Sequence, residues 1–320
     1  MSRPFFSVVI PVFNRADVLG AALQSVLTQN EQDFEIVVAD DGSKDGPKAV
    51  IDRIGDPRIS YVRQENKGGG AARNLGIDHA QGRFIAFLDS DDVFLPGHLA
   101  AMRRLLENTT NTAGYARIVV DRGVGTLVVK PPRAIRPGED MAAYLLCDRG
   151  FVPTITTVVP AQLARQVRYH EKLREAEDTD FAVGLALAGC RFVMADAPGA
   201  VWKDHYDPNR QSAGRSTARL EQWLESIRPQ ISRKGYRGGM GWAVAKGVVT
   251  KNPLRALALY FNAVAHGCYR PGLAAVVFLQ IFLPNSLYRA VADGAIRWLR
   301  AGLRLPEKKS AAPARTEPAC

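Results

Sequence analysis

The sequence predicts an α/β protein: a mostly parallel central sheet flanked by helices. Short β-branched runs alternate with segments of helical period through the first hundred residues, which is the pattern of βαβ units. Three of those runs end in polar residues, where open α/β sheets bind ligands. The 320 residues are 47% hydrophobic and 23% charged, which excludes a disordered or collagen-like chain and allows a substantial core.

The elements follow in order. Ser7–Ile10 reads as a buried strand ended by Pro11. Val18, Leu19, Ala22, Leu23, Val26 and Leu27 recur at helical spacing and make one apolar face. Glu35–Ala39 is a strand ended by Asp40-Asp41-Gly42-Ser43, and Lys48–Ile54 is weakly helical. Ile59–Arg63 alternates like a strand, and Ala71–Ala80 reads as a helix behind a Gly68-Gly69-Gly70 turn. Phe84–Leu88 is a strand ended by Asp89-Ser90-Asp91-Asp92, and Leu99–Leu106 is a helix. Tyr115–Lys130 is β-like with Gly123 and Gly125 in a turn, and Pro131–Gly138 is a loop. Asp178–Ala188 is helical and Arg191–Ala195 is a strand. Gly199–Arg219 reads as an irregular loop able to close over a ligand, and Leu220–Arg228 as a helix.

Charge divides the chain. Residues 232–320 hold 14 Lys and Arg against 3 Asp and Glu, a net +11, while the first 231 residues net −1. A basic segment seeks phosphate, in nucleic acid or on an anionic membrane. The four cysteines are scattered without a CxxC pair, so neither a disulfide framework nor a cysteine zinc site is expected, and a reducing compartment fits. Met1–Phe6 carries one charge and no long apolar run precedes Pro11, so no secretory leader is expected.

Four constellations carry candidate chemistry. Clustered carboxylates at Asp89-Ser90-Asp91-Asp92 repel one another unless a cation sits between them, and oxygen ligands suit Mg²⁺ or Mn²⁺; the same residues would also serve as a helix cap. Asp40-Asp41 would accept from a nucleobase N–H or a ribose hydroxyl, or simply shape a turn with Gly42. Gly68-Gly69-Gly70 before a helix lets backbone N–H groups approach a phosphate, with Arg73 adding charge. Glu177-Asp178 at a helix start would supply a general base, although acidic residues there are also ordinary dipole partners.

Taken in order, Ser7-Val8-Val9-Ile10-Pro11-Val12-Phe13-Asn14-Arg15, Asp40-Asp41-Gly42-Ser43, Asn66-Lys67-Gly68, Ala71-Ala72-Arg73-Asn74 and Asp89-Ser90-Asp91-Asp92 resemble the inverting family 2 glycosyltransferases of GT-A fold, whose central sheet is Rossmann-like. The resemblance runs from about Phe6 to Arg210 and is dense up to Pro96. It implies that Pro11, Phe13 and Arg15 line the nucleotide pocket, with Asp41 on the uracil edge of a UDP-sugar and Asp40 beside it. It places Arg73 near the donor phosphates, Asp89 and Ser90 on the ribose or sugar, and Asp91 on a Mn²⁺ or Mg²⁺ ion. Asp178 is the expected base, with Glu175 and Asp180 as rivals, and His205 a further metal ligand, with His170 and His266 as rivals.

The basic quarter completes the expectations. Residues 1–230 would form the catalytic domain, 231–305 a helical basic segment and 306–320 a disordered tail. Leu254–Ala265 and Leu273–Leu283 are apolar but shorter than the roughly 20 residues a membrane-spanning helix needs. Arg289, Arg297, Arg300 and Arg304 interleave with Leu287, Val291, Ile296, Trp298, Leu299 and Leu303, the signature of a helix lying in a membrane interface. No nucleic-acid motif accompanies the charge, so nucleic acid is not an expected partner. The expectation is a protein on the inner face of the cytoplasmic membrane, acting on a lipid-linked saccharide in exopolysaccharide, capsule or O-antigen synthesis. The alternative for this segment is an ordinary helical subdomain packed on the body or a dimer contact.

Rival functions lack their signatures. An oxidoreductase needs GxGxxG directly after the first strand, where Pro11-Val12-Phe13-Asn14 stands, and no GxxxxGK[ST] occurs. A sugar-nucleotide pyrophosphorylase would carry a basic Gly-rich loop at that place. A non-catalytic scaffold of the same fold is the remaining alternative, and the intact Asp41, Asp89, Asp91 and Asp178 weigh against it.

Overall fold

The computed structural model describes residues 3–121, 127–173, 176–203, 217–284 and 287–288. Its N-terminal part alternates strands and helices: β1 (Phe6–Val12), α1 (Ala16–Leu27), β2 (Phe34–Asp40), α2 (Pro47–Ile54), β3 (Ile59–Arg63), α3 (Gly69–His79), β4 (Phe84–Phe87), β5 (Val93–Phe94) and α4 (His98–Leu106). Then come β6 (Thr112–Tyr115), β7 (Ile118–Asp121), β8 (Leu127–Lys130), α5 (Met141–Cys147), β9 (Val158–Pro160), α6 (Ala161–Val167), α7 (Glu177–Leu187), β10 (Arg191–Met194) and β11 (Ala200–Lys203). The main sheet has seven strands in the order β10-β6-β9-β4-β1-β2-β3, and a second sheet runs β5-β11-β7-β8. All pairings within β4-β1-β2-β3 are parallel, and β9 alone enters the main sheet antiparallel, between β4 and β6.

Alternation along β1 sends Phe6, Val8, Ile10 and Val12 to a core shared with α1 and α4. Val9 points to the opposite core with Val37, Ile77, Ile85 and Phe87. Helix α3 lies close on β1: a Cβ at Gly76 would come within 2.3 Å of the Val9 side chain. That approach brings Arg73 and Asn74, one turn earlier, to the carboxyl end of the sheet.

The sequence reading ends the first strand at Pro11, yet β1 continues to Val12. Pairing explains the difference. β4 follows β1 only as far as Val9, whereas β2 follows it to Val12. Val9 and Val12 carbonyls serve opposite neighbours, accepting from Leu88 and Asp41, so residue 11 faces the side where β4 has ended. Proline therefore costs no ladder bond there. The expected loop over Gly199–Arg219 also needs correction at its ends: Ala200–Lys203 pair with β7 and β5 as β11, and α8 starts at Thr217. Residues 204–216, with His205, lie outside the described residues.

The C-terminal part is helical: α8 (Thr217–Ile227), α9 (Arg233–Gly239), a π-helical segment at Met240–Val244, α10 (Ala245–Val248), α11 (Pro253–Ala265) and α12 (Pro271–Phe282). Its inner face packs on α5. A Cβ at Gly235 would meet Ala142 at 2.7 Å and one at Gly238 would meet the Cys147 sulfur at 2.2 Å, so α9 sits directly against that helix. Cys147 shares a core with Tyr260, Ala263, Cys268, Tyr269 and Val277. The arginine-rich stretch expected at 289–304 and the tail at 306–320 lie outside the described residues.

His98 opens α4 with its ring buried against Phe94, centroids 4.6 Å apart, and neither ring nitrogen has a partner. Burial alone pushes its pKa down to about 3, so the folded protein holds it neutral. The unfolded chain protonates it below about 6.5. Its contribution to stability is therefore full above that pH and declines as pH falls toward 3, by up to about 1.4 kcal/mol per unit. Urea unfolding of His98→Leu between pH 7.5 and 4.5 should show the variant gaining on the wild type as pH falls; parallel profiles would contradict this.

Candidate active site

The site forms where β1, β2 and β4 end and where α3 and α7 begin. Asp40 and Asp41 leave β2 buried, and their carboxylates organise the neighbouring loops. Asp40 accepts from the Ser43 N–H at 2.8 Å and from the Tyr61 hydroxyl. Asp41 accepts from Gln64 Nε2 at 2.7 Å, the Lys67 N–H at 2.9 Å and the Gly68 N–H at 2.8 Å. It thereby holds the turn before α3, where Gly68 takes φ 101°, a backbone shape that favours glycine. Beside it, Gly42, Arg63, Gln64, Glu65 and Asn66 line an open cleft of about 450 Å³. Across the β1 end, Asn14 Oδ1 accepts from the Lys44 N–H at 2.8 Å, and its own N–H donates to Ser43 Oγ at 2.9 Å. Pro11 lies partly buried and Phe13 stands exposed on this loop.

Arg15 and Asp91 form an ion pair at the mouth of the site, each about a third exposed. Ser90 and Asp92 are buried, and Asp92 Oδ1 accepts from the Lys203 N–H at 3.0 Å, which ties the end of β4 to β11. Asp89 faces inward to Arg73.

Arg73 is the centre of the arrangement. Its side chain is only 10% exposed and donates to Asp89 Oδ1 at 2.6 Å and Glu177 Oε2 at 2.9 Å. Its guanidinium lies 5.3 Å from the centroid of the Tyr169 ring, which in turn stacks on Phe181 at 4.1 Å. The neighbouring Asn74 fixes that segment, donating to the Tyr169 carbonyl at 2.9 Å and accepting from the Tyr169 N–H at 2.8 Å. The resemblance places Arg73 near the donor phosphates; in the structure two of its nitrogens engage carboxylates. Tyr169 and Thr154 were not anticipated, because nothing local in their sequence marks them.

Three acidic residues open α7. Glu177 is held by Arg73, and Asp180 accepts from Trp223 Nε1 of α8 at 2.6 Å. Asp178 lies between them, beside Thr154. Burial pushes all three carboxyls above their ordinary range. At Asp178 the Arg73 charge and the Thr154 hydroxyl oppose that rise, while Asp89 adds to it. Of the rivals named above, Glu175 lies outside the described residues. His170 Nδ1 accepts from the Lys172 and Leu173 N–H groups, and His266 Nδ1 bonds the Asn262 carbonyl on α11. Both histidines thus have local structural roles.

Among the described residues no group of three or more His, Cys, Asp or Glu side chains is placed to hold a metal. The Asp89–Asp91 end of β4 offers hard oxygen donors at a partly open mouth. That donor chemistry fits a Mg²⁺ or Mn²⁺ ion sharing its coordination with substrate phosphates and water rather than a closed protein cage.

Comparison with known proteins agrees with this architecture. Residues 7–172 match the sequence profile described as Glycosyl transferase family 2. The chain belongs to that family and is a glycosyltransferase. It is 29% identical over 239 residues to the amylovoran biosynthesis glycosyltransferase AmsB of Erwinia amylovora, covering 72% of this chain and 79% of that protein. It is 37% identical over 119 residues to the GalNAc(5)-diNAcBac-PP-undecaprenol beta-1,3-glucosyltransferase of Campylobacter jejuni, 36% of this chain and 37% of that one. It spans only 17% of the length of Rickettsia glycosyltransferases that it matches at 41–44% identity. The fold is GT-A: S. aureus TarS 1–349, solved in complex with UDP-GlcNAc, superposes with a TM-score of 0.61 at 17% identity, over 92% of each chain. The mannosyltransferase PcManGT of Pyrobaculum calidifontis, solved with GDP-Man and Mn²⁺, gives 0.53 at 18% identity over 88% of this chain and 86% of that one.

Replacing Arg73 by Met leaves Asp89, Glu177 and Asp178 facing one another without their cation. Urea unfolding at pH 8 should show a loss of about 3–5 kcal/mol. Glu177 and Asp178, already raised by burial and now without the Arg73 charge that lowers them, then have folded pKa values further above their unfolded ones, so their folded form binds more protons. The deficit should therefore shrink as pH falls from 8 to 5. An equal deficit at both pH values would contradict this.

Proposed function

We propose that the protein moves a sugar from a nucleoside diphosphate sugar, UDP-linked, to a hydroxyl of a lipid-linked saccharide, with inversion at the anomeric carbon, in the synthesis of a bacterial surface polysaccharide. The observation that carries this reading is the position of Asp178: a half-buried carboxylate of raised pKa, flanked by Glu177 and Asp180, which Arg73 and Trp223 hold, and close to Asp89 at the β4 strand end. The pathway draws on the AmsB likeness, and the lipid-linked acceptor on the Campylobacter relative's name. The nucleotide draws on the TarS complex.

In this reading the cleft by Gly42 and Arg63 takes the base, with Asp41 at its edge and Pro11 and Phe13 beside it at the end of β1. Asp40 and Ser90 support the loops around it, and Asp89 reaches the ribose or sugar. Asp91, with His205, would hold a Mn²⁺ or Mg²⁺ ion, which when bound neutralises charge on the departing diphosphate. Arg15, released from Asp91, turns to the diphosphate. Asp178 takes the proton from the acceptor hydroxyl. The hydroxyl oxygen bonds the anomeric carbon from the face opposite the nucleoside diphosphate, whose oxygen leaves with the electron pair of the broken bond. One displacement inverts the centre, so no covalent sugar–enzyme bond and no second nucleophile are needed. A raised pKa makes Asp178 a stronger base for that transfer.

Calorimetric titration with UDP and GDP, with and without Mn²⁺, tests the reading. UDP binding that requires Mn²⁺ and is lost in Asp91→Ala is expected. Asp178→Asn should bind UDP as the wild type does while transfer falls by roughly 10²–10⁴. A folded protein that binds neither nucleotide would overturn the reading.

Arg15→Met separates two effects. Mn²⁺ titrated alone should bind roughly two- to fivefold tighter, as expected for loss of a partly exposed ion pair, while UDP with Mn²⁺ binds more weakly. Unchanged affinity for Mn²⁺ alone would show that Arg15 does not compete for Asp91.

A further inference from the structure

Helices α11 and α12 are amphipathic in an unusual sense: both of their faces are apolar. Ala256, Tyr260 and Ala263 of α11, with Ala274, Val277 and Ile281 of α12, form the buried side. The outer side of α11 shows Leu254 and Phe261, 77% and 56% exposed, with Ala258 and Ala265 at helical spacing between and beyond them. The outer side of α12 shows Phe278 and Leu279, each 37% exposed, and Ala275 one turn before. The two outer faces are continuous. The Tyr260 ring lies 5.2 Å from Phe261 and 5.4 Å from Phe278, so the two exposed rings flank a single buried one.

Charge identifies what this face meets. Residues 232–288 contain seven Lys and Arg and no Asp or Glu, and α12 itself carries no charge at all. Lys251 and Arg255 lie at the start of α11, and Arg270 precedes α12. A large apolar patch on a protein surface marks an interaction site. Arg255 pairs with Glu221 and Arg270 lies 3.8 Å from Asp148, while the segment itself adds only basic charge, so an apolar face with a net-cationic rim matches an anionic lipid surface. With 13 and 12 residues, the two helices are too short to cross a bilayer, and among the described residues none is long and apolar enough to do so.

We infer that the outer face of the α11–α12 pair docks on an anionic membrane, with Leu254, Phe261, Phe278 and Leu279 entering the acyl boundary and the surrounding lysines and arginines at the headgroups. This surface lies within the basic segment 231–305 that the sequence associates with a membrane, and the contact is assigned to a particular face of it. It deepens the proposed function, since a lipid-linked acceptor would be presented at the same surface, but its test uses no donor or acceptor. Failure here leaves the transferase reading standing, and failure of nucleotide binding leaves this one standing.

The experiment is sedimentation of the full chain with vesicles of phosphatidylcholine alone and of phosphatidylcholine rich in phosphatidylglycerol. Binding to the anionic vesicles, weakened by salt, is expected. The exposed-site variant Leu254→Ser/Phe261→Ser/Phe278→Ser should bind about tenfold or more weakly. Its unfolding midpoint should stay near that of the wild type, because these side chains face outward. Lys251→Glu should weaken binding at low salt without touching the apolar face. Three results would overturn the inference: wild type that ignores anionic vesicles, a triple variant that binds as well as wild type, or a triple variant that turns a dimer into a monomer with vesicle binding unchanged. The last would assign the face to a second copy of the chain.

Discussion

The buried cation of Arg73 is the constraint on which the site depends. It sits almost out of water between Asp89 at the end of β4 and Glu177 at the start of α7. A lone buried guanidinium is costly, and so are three converging carboxylates; together they compensate one another. The bond also spans the chain, joining the early βαβ units to a helix about a hundred residues later. Tight packing of α3 on β1 at Gly76 sets the height at which the guanidinium emerges. Asn74 then fixes the Tyr169 segment that covers it. The candidate base Asp178 inherits its position from this arrangement, since Glu177 and Asp180 on either side are both tied down.

Much of this was legible in the sequence. Strand ends marked by Asp40-Asp41 and by Asp89 to Asp92 come out at the carboxyl edge of a parallel sheet, because β-branched runs bounded by polar residues leave few other placements. The acidic start of α7 was also visible, but its division of labour was not. Which of Glu177, Asp178 and Asp180 is held by Arg73 or Trp223 depends on side chains far away in sequence. Arg73 itself is visible in the sequence, but its partners Asp89 and Glu177 are not, for the same reason. Residues such as β9, with three residues, and β11, next to a polar run, carry too little periodicity to stand out from loop. Asp41 shows a further limit: the sequence does not reveal that this carboxylate also accepts from three donors of its own chain and so holds the Lys67–Gly68 turn.

The C-terminal helices show how composition alone leaves two readings open. Their charge and apolar content fit both a packed subdomain and a membrane-facing segment. The structure shows one face packed on α5 through Gly235 and Gly238, while the opposite face of α11 and α12 keeps large apolar side chains in water. Close packing on α5 accounts for the small residues on α9, and the absence of acidic residues from 232 to 288 fits the proposed membrane face.

The most direct measurement is a double-mutant cycle on Arg73 and Glu177. Arg73→Met, Glu177→Gln and the double variant would be unfolded in urea at pH 8 beside the wild type. Strong coupling is expected, with the double variant losing about 1–3 kcal/mol less than the sum of the single losses. Additive losses would show that the pair is not a compensating ion pair and would remove the foundation of the site.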